Sequence, residues 1–128
     1  MNEVGAILLG FQLVALSWRI QREIKMQEAG QRTWFTLADY LVVLSMMSIL
    51  LGTFLIPTFV LSARWPIVSI GVSVAFLVFS PIVAACHYGL FRGKRPCPAP
   101  YALPEEWIMF AVSVAGVVIY AGVAIALA

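Results

Sequence analysis

Four long apolar stretches, separated by short polar segments, dominate the pattern of this chain. The clearest is residues 67–91, which holds 25 residues without Asp, Glu, Lys or Arg and has His87 as its only strongly polar side chain. A helix of that length crosses a hydrocarbon layer about 30 Å thick. The hinge before it, residues 62–66, is too short for anything but a tight turn. We therefore predict a transmembrane helical hairpin over residues 37–91.

The flanking stretches predict one further helix on each side. The first is apolar in its initial half and charged in its second, keeps helical spacing throughout, and is followed by Gly30 as a natural stop. The last begins with Pro104, and Glu105 and Glu106 then face the positive end of the helix dipole. The predicted helices cover residues 3–29, 37–61, 66–91 and 105–128.

The predicted fold class is all-α. We expect a single domain over residues 1–128, an integral membrane protein whose four transmembrane helices form an up-and-down antiparallel bundle. Proline removes a backbone donor and crowds the preceding turn, so kinks are expected at Pro57 and Pro81. Thr36 and Asp39 have the spacing of a capping box at the start of the second helix.

Composition supports a membrane protein and excludes other classes. The chain is 62% apolar and 11% charged, whereas soluble domains are about 45–50% apolar and about 25% charged. Its net charge of +2 is too small for a phosphate-binding surface, so nucleic acid is not an expected partner. The lipid bilayer is the partner that composition predicts.

The basic residues predict the orientation. The eight Lys and Arg side chains are concentrated in alternate connections. Four lie around the first loop and three in the connector after residue 91, whereas the hinge between them has one. Under the positive-inside rule both basic loops lie in the cytoplasm. We predict a multi-pass protein of the cytoplasmic (inner) membrane with both termini on the non-cytoplasmic side.

Few residues in the predicted spans could carry chemistry. Asp39 is explained by helix capping better than as a proton or cation site, and Glu105 and Glu106 by the helix start better than as an acid–base pair. Gln12 is the one amide inside a span, and we expect it to hydrogen-bond to a neighbouring helix. No hydrolase, zinc-protease, nucleotide or dinucleotide motif occurs, so an enzyme acting alone has the least support.

Cys86, His87 and Cys97 form the one cluster of metal-binding residue types. They could hold zinc, or His87 could ligate a haem iron, but a structural zinc site needs a fourth ligand and the chain has a single histidine. We expect free thiols and a histidine hydrogen-bonded to the connector. No cofactor is predicted, and haem or a metal at His87 stays the weaker alternative.

Small residues four positions apart predict contacts between helices, because they let helix backbones approach closely in lipid. They lie in the third and fourth helices: Gly71, Ala75, Ala111, Ala115, Gly122 and Ala126. The expected partners are other membrane-protein subunits or copies of the chain itself. The charged end of the first helix predicts a cytoplasmic docking segment or one that rests on anionic headgroups, with Arg19, Arg22 and Lys25 as its contacts.

Two functional hypotheses follow. The first is a small non-catalytic accessory or structural subunit of a larger respiratory, photosynthetic or transport assembly. The alternative is a homo-oligomeric small channel or transporter, in which Pro57 and Pro81 break helices and free carbonyls beside Thr53, Thr58 and Ser80.

Overall fold

The computed structural model describes residues 2–31, 35–59, 64–88, 91 and 101–127, and the regular structure of that part of the chain is helical. Each of its four long helices is long and apolar enough to cross a membrane. The helices are α1 (Asn2–Glu28), α2 (Leu37–Phe59), α3 (Arg64–His87) and α4 (Pro104–Leu127). The predicted all-α membrane protein with four spans is confirmed.

Contacts at the two ends show that the helices alternate in direction. At one end, the second half of α1, the start of α2, the end of α3 and the first turn of α4 are joined by hydrogen bonds and ion pairs. Toward the other end, Gly5 of α1 lies against Thr53 of α2, and Gly52 of α2 lies against Ser69 of α3. This is the antiparallel up-and-down bundle that the sequence predicts.

The centre of the bundle is α3, which packs along both α2 and α4. The buried apolar core comes from these three helices: Leu37, Ala38, Leu41, Phe76, Val83 and Val117. In contrast, α1 packs mainly on α2 and buries only Gly5 and Gln12. Its large apolar side chains, such as Phe11 and Val14, face outward toward whatever surrounds the bundle.

The first connection begins where a glycine ends α1. Gly30 has a φ of 76°, a left-handed conformation that favours glycine. The Gly30 N–H donates to the Gln27 carbonyl at 2.9 Å, and the Gln31 N–H donates to the Met26 carbonyl at 3.0 Å. This pair of bonds is a Schellman motif, so the predicted stop at Gly30 is confirmed.

The turn of α2 ahead of Pro57, where the sequence predicts a kink, is widened. Residues Leu50–Leu55 of α2 are π-helical, and the Ile56 N–H bonds back to the Leu51 carbonyl five residues earlier. Because proline lacks an N–H and its ring crowds the preceding turn, a wider turn accommodates it without ending the helix. α3 stays helical through Pro81.

The helix bounds differ from the predicted ones by a few residues. α3 begins at Arg64 and ends at His87, four residues before the predicted end, with Tyr88 in a turn. The predicted hinge at residues 62–66 and the end of the second helix at residue 61 lie partly outside the described residues, as does the basic connector.

We predict that Gly52→Ala destabilises the bundle by about 1–3 kcal/mol, because a β-carbon at this position would overlap the Ser69 β-carbon. The Ser69 β-carbon is fixed to its backbone, so α2 and α3 would have to move apart. The control is Gly10→Ala, where a β-carbon meets no atom within 4 Å. Thermal unfolding in detergent measures both variants, and equal midpoints would contradict the prediction.

Candidate functional site

One buried carboxylate connects three helices at the charged end of the bundle. Glu106, in the first turn of α4, has no exposed surface, and His87 at the end of α3 is only 2% exposed. The His87 Nδ1 lies 2.7 Å from Glu106 Oε2. The Leu37 N–H, at the start of α2, donates to Glu106 Oε1 at 2.8 Å. We call Glu106, His87 and the Leu37 N–H the carboxylate junction.

Glu106 does more than the sequence predicts. Its Oε2 also lies 3.4 Å from the Leu103 N–H, the contact expected of an acid at the start of its own helix. Its shorter bonds go to other helices, so Glu106 acts at the start of α4, as predicted, and also between helices. The reason is that α2 begins beside Glu106 with a backbone N–H that has no acceptor within its own helix. A carboxylate is a strong hydrogen-bond acceptor for such a group.

The start of α2 is fastened to α1 by a second charged cluster, which we call the Arg19 cluster. Arg19 Nε lies 2.7 Å from Asp39 Oδ1, and another Arg19 nitrogen donates to Thr36 Oγ1 at 3.0 Å. The Thr36 hydroxyl then donates to Asp39 Oδ2 at 2.9 Å. Thr36 is the N-cap of α2, but it makes no side-chain capping bond. The predicted capping box is therefore wrong, because these side chains pair with Arg19 instead.

Farther into the bundle, Gln12 confirms the expected bond from α1 to its neighbours. Its amide nitrogen donates to Ser45 Oγ at 2.5 Å and to Ser73 Oγ at 2.8 Å. The Ser45 hydroxyl also lies 2.7 Å from the Ser73 carbonyl, so α1, α2 and α3 meet at one polar point. Gln12 Oε1 is buried without a partner. The reversed amide would leave two donors unpaired in place of one acceptor, so this orientation is favoured.

Polar side chains continue along the α2–α3 interface from Gln12, forming what we call the polar seam. The hydroxyl oxygens of Thr53 and Ser69 lie 2.9 Å apart, and the Ser48 hydroxyl lies 3.3 Å from the Ser69 carbonyl. Thr58 and Ser80 do not belong to it, since each donates to a carbonyl of its own helix. The seam was not predicted, although its serines recur within apolar spans at helical spacing.

The described residues contain no group of three His, Cys, Asp or Glu side chains placed to hold a metal ion. Cys86 is a buried free thiol, and Cys97 lies outside the described residues. Nδ1 of His87 lies 2.7 Å from Glu106 Oε2, so this nitrogen is already occupied by the carboxylate. Haem or metal binding at His87 stays a prediction.

The predicted small-residue contacts separate into two groups. In α3, a β-carbon at Gly71 would overlap the Tyr120 hydroxyl of α4, and Ala75 packs against the core. These two positions serve packing within the bundle. The four positions in α4 are exposed: Ala111, Ala115, Gly122 and Ala126.

The predicted docking residues also differ from one another. Arg19 is committed to Asp39. The Arg22 guanidinium stands over the Tyr88 ring, 5.0 Å from its centroid, and so touches the end of α3. Lys25 is exposed. A docking role for these residues stays a prediction.

Comparison of the chain with models of protein families, with curated proteins and with solved structures found no match in any of the three.

Glu106→Gln should lower the free energy of unfolding by about 1–3 kcal/mol, the cost of leaving a buried polar group without its hydrogen-bond partner. The amide can still accept from Leu37 but leaves His87 without its charged partner. Glu28→Gln is the control, since Glu28 is an exposed acid at the end of α1. Chemical denaturation in detergent compares the two. A loss no larger for Glu106→Gln than for the control would show that the junction does not stabilise the fold.

Gln12→Leu should destabilise the bundle by about 1 kcal/mol, because it removes two interhelical hydrogen bonds that average about 0.6 kcal/mol each in membranes. Ser45 and Ser73 can still bond to each other, so the loss falls on the attachment of α1. The measurement is the yield of an engineered disulfide between α1 and α2 together with thermal unfolding. Gln21→Leu, at an exposed position of the same helix, should leave both unchanged. An unchanged Gln12→Leu variant would contradict the prediction.

Proposed function

We propose that this chain is a small non-catalytic accessory or structural subunit of a larger membrane complex, such as a respiratory, photosynthetic or transport assembly. The observation that carries the proposal is a set of exposed small residues on one side of α4. We call this face, formed by Ala111, Ala115, Gly122 and Ala126, the open face.

The open face is available for packing because the described residues do not cover it. All four residues are exposed, and a β-carbon built at Gly122 meets no atom within 4 Å. Their positions fall on one side of the helix, because steps of four and seven residues return to nearly the same angle. In lipid, helices associate through close backbone approach and weak polar contacts, which such a face permits. Gly71 shows the same principle inside the bundle, where it receives Tyr120.

The internal polar groups support the same function. Gln12, the polar seam and the carboxylate junction are bonded within the bundle, while the large exposed side chains of α4 and those of α1 from Val4 to Trp18 are apolar. These membrane-spanning parts of the chain offer shape rather than charge to their surroundings. That is the kind of surface with which a structural subunit packs beside other helices.

The polar seam favours a second candidate, the homo-oligomeric channel or transporter. Hydroxyl groups and the unpartnered Gln12 Oε1 follow one another along the α2–α3 interface. Copies of the chain would have to assemble for such groups to line a path, since four helices alone enclose little. Thr58 and Ser80, predicted to contribute, bond to their own helices and do not favour it.

Purification of the tagged chain from its native membrane in a mild detergent tests the proposal. We expect unrelated subunits at fixed stoichiometry, and we expect Ala115→Leu to reduce their recovery about tenfold, since about 1.4 kcal/mol of lost packing changes an equilibrium constant tenfold. Ala15→Leu, at an exposed alanine of α1, is the control and should retain the partners. The abundance of the variant itself should not fall, because leucine is well tolerated toward lipid.

The same experiment separates the candidates. Recovery of this chain alone as a homogeneous oligomer would contradict the subunit proposal, and flux in proteoliposomes would then support the transporter. Equal partner recovery for Ala115→Leu and Ala15→Leu would show that the open face is not the contact.

A further inference from the structure

A groove of about 290 Å³ separates the second half of α1 from the end of α3 at the charged end of the bundle. Its lining includes a basic residue, two aromatic residues and three small or apolar residues: Arg22, Trp18, Tyr88, Pro81, Ala84 and Ala85. We propose that this groove binds an anionic phospholipid, with the phosphate on Arg22 and an acyl chain along the small residues of α3. We call it the headgroup groove.

Arg22 is held in a geometry that suits a phosphate. Its guanidinium stands over the Tyr88 ring, 5.0 Å from the centroid, in a cation–π contact. Planar, paired donors are the arrangement that recognises phosphate oxygens, and a stacked side chain loses less freedom on binding. Arg22 is exposed, so a ligand can reach it.

The other walls of the groove fit a lipid tail better than a free anion. Trp18 lies one helical turn from Arg22 toward the apolar half of α1 and is 71% exposed, as expected for a residue at the membrane interface. Opposite it, Pro81, Ala84 and Ala85 form a shallow apolar wall in the last two turns of a membrane-spanning helix. A phospholipid, whose phosphate is joined to acyl chains, matches a groove that is basic at one end and apolar along its wall. Basic pockets between helices bind phospholipid headgroups in this way.

The charges around Arg22 set the expected selectivity. Arg19 also lines the groove, but its charge is paired with Asp39. Among the described residues, Glu23 is the one carboxylate in the lining, and it opposes Arg22 in part. A single basic residue near a membrane surface is worth about 1 kcal/mol toward anionic lipid, so we expect about a fivefold preference over a zwitterionic lipid.

Native mass spectrometry of the full chain in detergent tests this assignment, with phosphatidylglycerol and phosphatidylcholine of the same acyl chains supplied together. The wild type should retain one phosphatidylglycerol with about a fivefold preference, and Arg22→Gln should abolish the preference. Lys25→Gln is the matched control, because it removes the same charge from an exposed position on the same helix outside the groove. Ala85→Leu fills the groove without changing charge and should reduce retention of both lipids.

Several outcomes would overturn the proposal. Equal retention of the two lipids by the wild type would remove the headgroup contact. Equal losses in Arg22→Gln and Lys25→Gln would indicate a diffuse basic surface. Displacement of the lipid by excess inorganic phosphate would mean that Arg22 binds a free anion. If Arg22→Gln fails to fold, Ala85→Leu decides, and unchanged retention in that variant would exclude the groove.

Discussion

Buried polar groups in a membrane must be paired inside the protein, and this requirement shapes the bundle most strongly at Glu106. In a membrane, an unpaired backbone N–H or an isolated charge costs several kcal/mol. One carboxylate answers three such needs by accepting from the first N–H of α2, pairing with His87 of α3 and lying near the N–H of Leu103, the residue before its own helix. The ends of three helices therefore take their relative positions from a single side chain.

The same requirement explains how α1 is attached. This helix contributes almost nothing to the apolar core and exposes most of its large side chains. Apolar side chains are as stable in hydrocarbon as in protein, so the hydrophobic effect contributes little to the association of α1 with the bundle. Its polar contacts take that role: Gln12 bonds to two serines in the middle, and Arg19 pairs with Asp39 at the charged end. Two separated polar contacts fix both the position and the rotation of the helix.

The sequence predicted the features that depend on local chemistry. Span length, the stop at Gly30 and the disturbance at Pro57 each follow from a few adjacent residues. The partners of Asp39 and Glu106 could not be predicted in this way, because helix capping is an adequate local explanation for both acids. Arg19 lies 20 residues from Asp39 in the sequence, and His87 lies 19 residues from Glu106. Small-residue spacing likewise finds a close-packing face without saying what covers it. Gly71 meets Tyr120 of the same chain, whereas Gly122 meets nothing.

The internal bonding also bears on the choice between a subunit and a transporter. Conduction along the polar seam requires hydroxyl groups to exchange their present partners for the transported species, and those of Ser45, Ser48, Thr53 and Ser69 are already bonded across the α2–α3 interface. Interhelical bonds of this kind average about 0.6 kcal/mol each, so the seam holds the two helices together without making them impossible to separate. A transporter would need an assembly that opens this interface. A subunit needs it closed, as it stands in the single chain, and uses only the outer face of α4.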